Sequence, residues 1–120
     1  NELFNIGTQL AAPDKTNKLP RLSSNAIELL ESEIDKSNKI LPELDSFVLP
    51  GGSIINSQFH IARNVCRRAE RCVVNLLKDE SKEFKNIQYL NRLSDALFVW
   101  SRWISYILED AESLWEPNKI

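Results

Sequence analysis

Apolar residues recur at helical spacing through most of this 120-residue chain, and no useful length of it alternates between apolar and polar residues. Four segments follow the helical pattern: residues 3 to about 12, about 24 to 41, 53 to about 78, and about 86 to 112. Proline and glycine are concentrated between these segments. The pattern predicts an all-α fold, in which the helices form an antiparallel bundle.

Polar and irregular stretches between the helices carry further signals. Asn25 stands three residues before Glu28, as in a capping box, and Ser53 can cap the third helix. The irregular residues 41–53 include Phe47, and this residue and the two after it are apolar. We therefore expect a surface or a ligand to cover that part of the segment.

Length and charge exclude several classes of protein. A chain of 120 residues and 13.8 kDa suits a single domain, residues 1–120. The net charge of -2 and the pI near 5.5 predict neither a nucleic-acid partner nor an anionic membrane partner. No apolar run approaches the roughly 20 residues that cross a bilayer, and no signal peptide is recognisable, so we expect a cytoplasmic protein. Because Asn1 enters partway through an apolar pattern, we also expect a segment to precede it.

The stretch ARNVCRRAER, residues 62–71, places arginines on successive turns of the third predicted helix. At 100° per residue, Arg63, Arg67 and Arg71 share one flank with Glu70. The residues expected to face the bundle core form a separate stripe: Ala62, Val65, Cys66, Ala69, Cys72, Val73 and Leu76. Like charges four residues apart cost a few tenths of a kcal/mol per pair. The flank is therefore a solvated face, an anion or nucleotide site, or a subunit interface, and the spacing leaves these three open.

The last predicted helix has an apolar stripe with a polar flank beside it. The stripe consists of Leu90, Leu93, Leu97, Trp100, Ser101, Ile104 and Leu108, with Ser94 expected to be a packed small residue. On the flank, Asn91, Asp95 and Arg102 are predicted to cluster. Such a cluster could bind a base edge or a hydroxyl group, or it could form hydrogen bonds between helices.

Residue types that often carry chemistry are few. His60 is the only histidine and has no ligand or triad partners at suitable spacing, so we interpret it as a helix-surface or interface residue. Cys66 and Cys72 lie six apart on one predicted helix, which argues against a disulfide between them. We expect both cysteines to be buried as small apolar residues, and we expect no protein metal site.

Three ordered motifs together resemble a known family. FVLPGGS (47–53), ARNVCRRAER (62–71) and LNRLSDALFVWSR (90–102) are similar to the ATP:cob(I)alamin adenosyltransferases of the PduO type, and the resemblance extends over almost the whole chain. It implies a trimer of five-helix bundles. It also implies transfer of the 5′-deoxyadenosyl group of ATP to the Co(I) of a reduced corrinoid, with release of tripolyphosphate.

The resemblance also implies roles for individual residues. The expected ATP-binding residues are Arg67, Arg68, Glu70, Arg71 and Asn91. Arg67 and Arg63 are the expected catalytic residues, and Arg63 also resembles an arginine that pairs with an aspartate across a subunit interface. Phe47 resembles the aromatic residue against the lower face of the corrin. Mg²⁺ is expected with ATP, cobalamin as substrate, and a flavin-type reductase and a B12-dependent acceptor enzyme as partners.

One part of the family pattern is not in this sequence. The family carries a glycine-rich TGDxGxT-like segment around the phosphates and a first helix with the aspartate partner of the arginine; we expect both to precede Asn1. Two other functions stay open. The chain could be a non-catalytic bundle that binds nucleotide or another anion as a sensor or chaperone, or a structural oligomer whose arginines meet acidic groups across subunits.

Overall fold

The computed structural model describes residues 1–12, 18–77 and 84–119, and these residues form an all-α fold. The helices are α1 (Glu2–Ala11), α2 (Ala26–Asn38), α3 (Ile54–Leu76) and α4 (Phe84–Ile107). Extended pairing within the described ranges is limited to an isolated antiparallel bridge between Val48 and Leu114. The predicted helical bundle is therefore confirmed.

The longest packing interface joins α3 and α4, which run antiparallel. Residue numbers on α4 fall as those on α3 rise: Asn56 contacts Ser101 and Ser105, and further along α3 Cys66 contacts Leu90. Helix α2 runs parallel to α4, because residue numbers rise together along the two: Glu31 pairs with Arg92, and Pro42, which follows α2, contacts Arg102. Helices α2, α3 and α4 therefore alternate in direction, as predicted for the bundle.

Helix α4 is the centre of the bundle, with apolar clusters on two of its sides. One cluster joins α1 and α2 to α4 through the buried residues Ile6, Ala26, Leu30, Tyr89 and Ala96. The other joins α3 to α4 through the buried residues Cys66, Val73 and Leu90. The half-buried Leu10 and Leu93 contact both clusters, so that the two form a continuous core. A helix packed on two sides needs buried residues around much of its circumference, which a single apolar stripe does not describe.

The first turn of α1 is tied to the chain that leads into α2. The Glu2 carboxylate accepts hydrogen bonds from both the hydroxyl and the backbone N–H of Ser23, and Asn5 donates to the carbonyl of Arg21 at 3.2 Å. These bonds from Ser23 lower the pKa of Glu2 below its usual value. Polar contacts at an exposed edge thus set where α1 lies against the start of α2.

The two predicted caps have different outcomes. The Ser53 side chain accepts a hydrogen bond from the Asn56 N–H at 3.1 Å, which confirms the cap of α3. Gly52 before it has φ +89°, a left-handed conformation that L side chains rarely adopt. Asn25 occupies the N-cap position of α2 but makes no side-chain cap bond. The predicted capping box is therefore wrong. The backbone N–H of Ala26, the first residue of α2, donates to the carbonyl of Ser23 at 3.2 Å.

The apolar stripe predicted for α3 is only partly buried. Cys66 and Val73 face α4, whereas the remaining members of the stripe are exposed: Ala62, Val65, Ala69, Cys72 and Leu76. The face toward α4 instead includes the buried polar residues Asn56 and His60. The prediction that Cys72 is buried is therefore wrong. His60, interpreted as a helix-surface or interface residue, lies in the interface between α3 and α4 and not on the helix surface. Periodicity reveals that an apolar stripe exists, but not which neighbouring helix covers it.

Helix α4 ends at Ile107, five residues earlier than predicted, and Leu108 is exposed. The N–H of Asp110 reaches the carbonyl of Ser105 at 2.9 Å, and the N–H of Glu109 reaches that of Tyr106 at 3.2 Å. This is the Schellman pattern, and it places Glu109 at φ 54°, in the left-handed region. The turn sends the following residues back along the bundle toward residues 46–49.

Replacing Glu109 with glycine should stabilise the fold. The left-handed conformation costs a residue with a Cβ about 1–2 kcal/mol, and glycine avoids this cost. Part of the gain is offset by the greater freedom of glycine in the unfolded chain. We expect Glu109→Gly to raise the free energy of unfolding by about 0.5–1 kcal/mol in urea titrations. Asn118, at φ 65°, is the control, because asparagine already tolerates this region and Asn118→Gly should gain less. A destabilised Glu109→Gly would contradict the assignment of the turn.

Candidate functional site

The arginine flank of α3 is exposed beside the α3–α4 interface. Arg67, Arg68 and Arg71 are all exposed, and none of them makes a hydrogen bond or ion pair with a described residue. Arg67 and Arg71 are one turn apart, so their like charges repel, and neither forms an ion pair with a described carboxylate, Glu70 included. Three guanidinium groups with unsatisfied donors on one stretch of helix can bind an anion with several oxygen atoms.

A carboxylate held by the neighbouring helix lies within this flank. The half-buried Glu70 accepts a hydrogen bond from Asn91 Nδ2 of α4 at 3.0 Å. The bond orients the carboxylate and the amide together, which leaves the other donor and acceptor atoms of both groups for a ligand. Two residues predicted from separate motifs are thus brought into direct contact.

The thiol of Cys66 lies just behind the flank and is not set up as a nucleophile. It donates to the carbonyl of Leu90 at 3.2 Å. Burial raises the pKa of this thiol, and the Glu70 carboxylate raises it further. Cys66 therefore stays protonated near neutral pH and contributes packing, as predicted for it.

An aromatic cleft lies beside Arg63, one turn before Arg67. Its volume is about 650 Å³, and its lining includes Phe47, Arg63, Phe98 and Trp115. The Arg63 guanidinium carbon lies 5.1 Å from the centre of the Phe98 ring, a cation–π contact. Phe47 is 77% exposed, and its ring meets the Trp115 ring edge-on with centroids 6.0 Å apart. An exposed phenylalanine at the edge of such a cleft offers a flat apolar surface to a ligand.

His60 lies behind the cleft, on the same helix as Arg63. Its ring packs edge-on against Phe98 with centroids 6.4 Å apart, and its side-chain Nε2 has no hydrogen-bond partner. Burial lowers the pKa of His60, and the Arg63 guanidinium lowers it further, whereas Glu112 opposes the shift. The imidazole is therefore neutral at pH 7, and it packs against Phe98, which lines the cleft.

The predicted site residues fall into two adjoining groups. The first contains Arg67, Arg71, Glu70 and Asn91. Arg68 lies 100° around α3 from Arg67, on the side of Arg71. The second contains Phe47 and Arg63, which line the same cleft. Because Arg63 and Arg67 are one turn apart, the two groups form one continuous surface along α3.

The predicted cluster of Asn91, Asp95 and Arg102 does not form. Asp95 pairs with Arg92 at 3.3 Å, while Arg102 is buried and pairs with Glu112 at 2.9 Å. Positions 91 and 102 share a face of α4, but they are eleven residues apart, or about 16 Å along the axis. The prediction is wrong because a shared face does not bring together residues on distant turns.

Two aromatic residues that line the cleft were not anticipated from the sequence. Phe98 stands between two residues of the α4 stripe, and Trp115 follows α4 in a segment without periodicity. Phe98 lies within the motif LNRLSDALFVWSR, which suggested no role for it, and Trp115 lies outside all three motifs. An aromatic residue just off a core stripe is a weak signal that could have indicated Phe98, but the position of Trp115 depends on a chain reversal that only the structure reveals.

The described residues offer few other chemical centres. No three or more histidine, cysteine, aspartate or glutamate side chains among them are grouped so that they could hold a metal ion. In the same part of the chain, no helix has the length and apolar character needed to span a membrane.

Comparison with known sequences identifies one family. The profile of the family described as cobalamin adenosyltransferase matches residues 1–104. A cobalamin adenosyltransferase from Cupriavidus metallidurans is 40% identical over 119 residues, covering 99% of this chain and 62% of the relative. A corrinoid adenosyltransferase from Bacillus subtilis is 43% identical over 105 residues, covering 88% of this chain and 54% of the relative. For a human corrinoid adenosyltransferase the identity is 36% over 121 residues, with coverage of 97% and 48%. The chain therefore spans between 48% and 62% of the length of these relatives.

Solved structures of the same family have a similar fold. A variant of the PduO-type ATP:corrinoid adenosyltransferase from Lactobacillus reuteri, complexed with cobalamin and ATP, matches with a TM-score of 0.86 and 32% identity, covering 95% of this chain and 64% of that one. Another variant from the same organism, complexed with ATP, matches with a TM-score of 0.84 and 31% identity over 95% of this chain and 65% of that one.

The buried neutral His60 predicts a pH dependence of stability. Because its pKa is lowered in the folded state, the unfolded chain takes up the proton first as the pH falls. The contribution of neutral His60 to the free energy of unfolding is complete above about pH 6.5, the usual histidine pKa. It is lost as the pH falls below that value toward the folded-state pKa. We expect the free energy of unfolding in urea to be lower at pH 5.5 than at pH 7.5, and His60→Gln to reduce that difference. An equal difference in both proteins would contradict the buried neutral state.

Proposed function

This chain belongs to the cobalamin adenosyltransferase family, and from that premise we propose that it transfers the 5′-deoxyadenosyl group of ATP to the Co(I) of a reduced corrinoid. In this reaction an electron pair of cobalt attacks C5′ of ATP. The Co–C bond forms, the C5′–O bond breaks with its electrons retained by the leaving tripolyphosphate, and cobalt becomes formally Co(III). Cobalt is itself the nucleophile, so the reaction needs no nucleophilic side chain from the protein.

One observation carries the proposal: exposed arginines of α3 that have no partner among the described residues lie one turn beyond Arg63, which lines the aromatic cleft. Arg67 and Arg71, with Arg68 beside them, would bind the triphosphate through charge-assisted hydrogen bonds. Fixed guanidinium groups also stabilise the negative charge that develops on the leaving tripolyphosphate. Catalysis is then positional and electrostatic, and Arg67 is the central residue of it.

Glu70 and Asn91 are proposed to bind the nucleoside of ATP. Their 3.0 Å hydrogen bond makes them one polar unit that presents both donor and acceptor atoms next to Arg67. A unit of this kind can distinguish adenine from guanine, because the wrong base leaves one of its atoms unpaired.

The cleft is proposed to bind the corrinoid. Phe47 would lie against the lower face of the corrin ring, where an apolar side chain excludes the lower ligand and makes cobalt easier to reduce. Arg63 lies between this cleft and the ATP-binding arginines, and its cation–π contact with Phe98 holds it there. We propose that Arg63 is also catalytic, and that it pairs with an aspartate of an adjacent subunit.

Mg²⁺ is proposed to arrive with ATP. The described residues include no group of three or more potential protein ligands, so they do not fit a site in which the protein encloses the ion. Mg²⁺ usually retains several water ligands and binds phosphate oxygens, which suits an ion carried by the triphosphate.

The assembly and its partners follow from the same proposal. We propose a homotrimer, because α3 exposes apolar side chains that no described element covers, among them Val65 and Leu76. A flavin-type reductase would supply the Co(I) substrate, and a B12-dependent enzyme would accept the product. We place the reaction in the cytoplasm, where ATP is available.

The first experiment is an anaerobic assay of the full-length protein with MgATP and chemically reduced cobalamin. Protein-dependent loss of the Co(I) spectrum and growth of a light-sensitive alkylcobalamin would support the proposal. ATP binding without turnover would instead favour a nucleotide sensor or chaperone. Binding that falls steeply with salt and does not distinguish adenine from guanine would indicate a general anion site.

Arg67→Ala should abolish the use of ATP. The side chain is exposed and off the core, so the fold should be retained, while the loss of a charged contact to the phosphates should lower kcat/KM for ATP about 100-fold or more. The measurement is the steady-state rate of adenosylation at varied ATP. The matched control is Arg92→Ala, because Arg92 lies on α4 and pairs with Glu31 of α2. Its kcat/KM for ATP should stay within about threefold of that of the unsubstituted protein. Equal rates for Arg67→Ala and the control would contradict the assignment.

Phe47→Ala should impair the corrinoid step and spare ATP. Removal of an exposed ring costs little stability but removes the apolar surface against the corrin, and we expect kcat/KM for cobalamin to fall about 10- to 100-fold, with a raised KM for cobalamin and ATP affinity nearly unchanged. ATP affinity is measured separately by calorimetry. Phe84, another exposed phenylalanine, provides the control variant Phe84→Ala. If Phe47→Ala weakens ATP binding as much as turnover, Phe47 does not act through the corrinoid.

A further inference from the structure

The chain beyond α4 is hydrogen-bonded to the segment that carries Phe47. The N–H of Leu49 donates to the carbonyl of Ser113 at 2.8 Å, and the N–H of Trp115 donates to the carbonyl of Phe47 at 2.7 Å. The Ser46 hydroxyl donates to the carbonyl of Trp115 at 2.8 Å. We call these two paired segments, residues 46–49 and 112–115, the clasp.

The clasp is too small to persist by itself. It contains one isolated bridge, between Val48 and Leu114, and its Phe47 and Trp115 are 77% and 46% exposed. Two short strands without a buried apolar face are at most marginally stable in water. Something in the body of the bundle must therefore hold both segments.

Arg102 of α4 provides that connection. Its Nε donates to Glu112 Oε1 at 2.9 Å and its Nη2 to Glu112 Oε2 at 3.3 Å, at one end of the clasp. The same Nη2 also donates to the carbonyl of Pro42 at 2.8 Å, in the loop that leads to Phe47. Arg102 is only 6% exposed, so these contacts are shielded from solvent.

A single guanidinium group thus connects α4 to Glu112, in one segment of the clasp, and to Pro42, four residues before the other segment. The planar fork of arginine can serve the two carboxylate oxygens and a carbonyl at once, whereas the ammonium group of lysine has no such fixed geometry. Buried charge-assisted hydrogen bonds are also directional, so they restrict where the two segments can lie.

We propose that Arg102, through its pair with Glu112, is a positioning residue of the corrinoid site: it anchors the clasp so that Phe47 is held edge-on to Trp115 beside Arg63 and Phe98. This inference rests on the proposed function, because it takes Phe47 to be the residue that contacts the corrinoid. Arg102 itself does not line the cleft and does not touch the substrate.

The test compares variants of two ion pairs, each formed by an arginine of α4 with a glutamate outside that helix: Arg102 with Glu112, and Arg92 with Glu31. Arg102→Lys removes the fork, and Glu112→Gln weakens the same contact from its more exposed side in case the first variant folds poorly. The matched controls are Arg92→Lys and Glu31→Gln, which alter an ion pair of 2.9 Å between α4 and α2, away from the clasp. All four are made in the full-length protein.

Two measurements separate positioning from general structural damage. Hydrogen exchange of the Leu49 and Trp115 amides, which are bonded across the clasp, should accelerate about tenfold or more in the Arg102 and Glu112 variants and not in the controls. In steady-state assays the KM for cobalamin should rise about tenfold in the same two variants, with the KM for ATP changed less than about twofold.

Each outcome decides the matter. Faster exchange together with a selective rise in the KM for cobalamin supports the positioning role. Unchanged exchange, or faster exchange with an unchanged KM for cobalamin, overturns it while the proposed function stands. An equal rise in both KM values also overturns it, because that result indicates general damage. If the unsubstituted protein does not adenosylate cobalamin, the proposed function fails first and the positioning role fails with it.

Discussion

The antiparallel packing of α3 on α4 is the constraint on which the other features depend. Its register is set by polar contacts as much as by apolar ones, since Asn56 Nδ2 donates to both the Ser101 carbonyl and the Ser105 hydroxyl deep in the interface. A buried amide that must find its acceptors tolerates no slip of one helix along the other. The same register brings Glu70 against Asn91 and Arg63 over Phe98. The parts of the candidate site are thus aligned by the contacts that hold the core.

Four arginines of this chain illustrate two chemical situations. Arg92 and Arg102 on α4 have carboxylate partners, and the burial of Arg102 makes its pair a structural anchor. Arg67 and Arg71 on α3 are exposed, with no such partner among the described residues. Paired arginines restrict the position of the chain, whereas unpaired ones remain available to an incoming anion. Burial and partner choice, not residue type, separate the two roles.

Much of the site could be predicted from the sequence because its residues lie on single helices or in compact motifs. The flank of Arg63, Arg67 and Arg71 follows from helical geometry, and the Ser53 cap follows from its place before an apolar-periodic segment. Roles on the arginine flank came from family resemblance, not from spacing, which left three interpretations open. The cleft could not be predicted, because Trp115 reaches Phe47 only after the Schellman turn at Glu109 reverses the chain.

The amino-acid sequence by itself determined where the helices lie, which residues share a helical flank, and to which family the motifs point. These properties depend on residues within a few turns of one another, so local periodicity and capping suffice to specify them. Only the tertiary structure decided that α3 turns His60 toward α4 and leaves Val65 exposed, and that Arg102 joins Pro42, sixty residues earlier, to Glu112. These placements depend on which surfaces bury each other between segments far apart in the chain. The periodicity of one helix does not specify which helices pack against it.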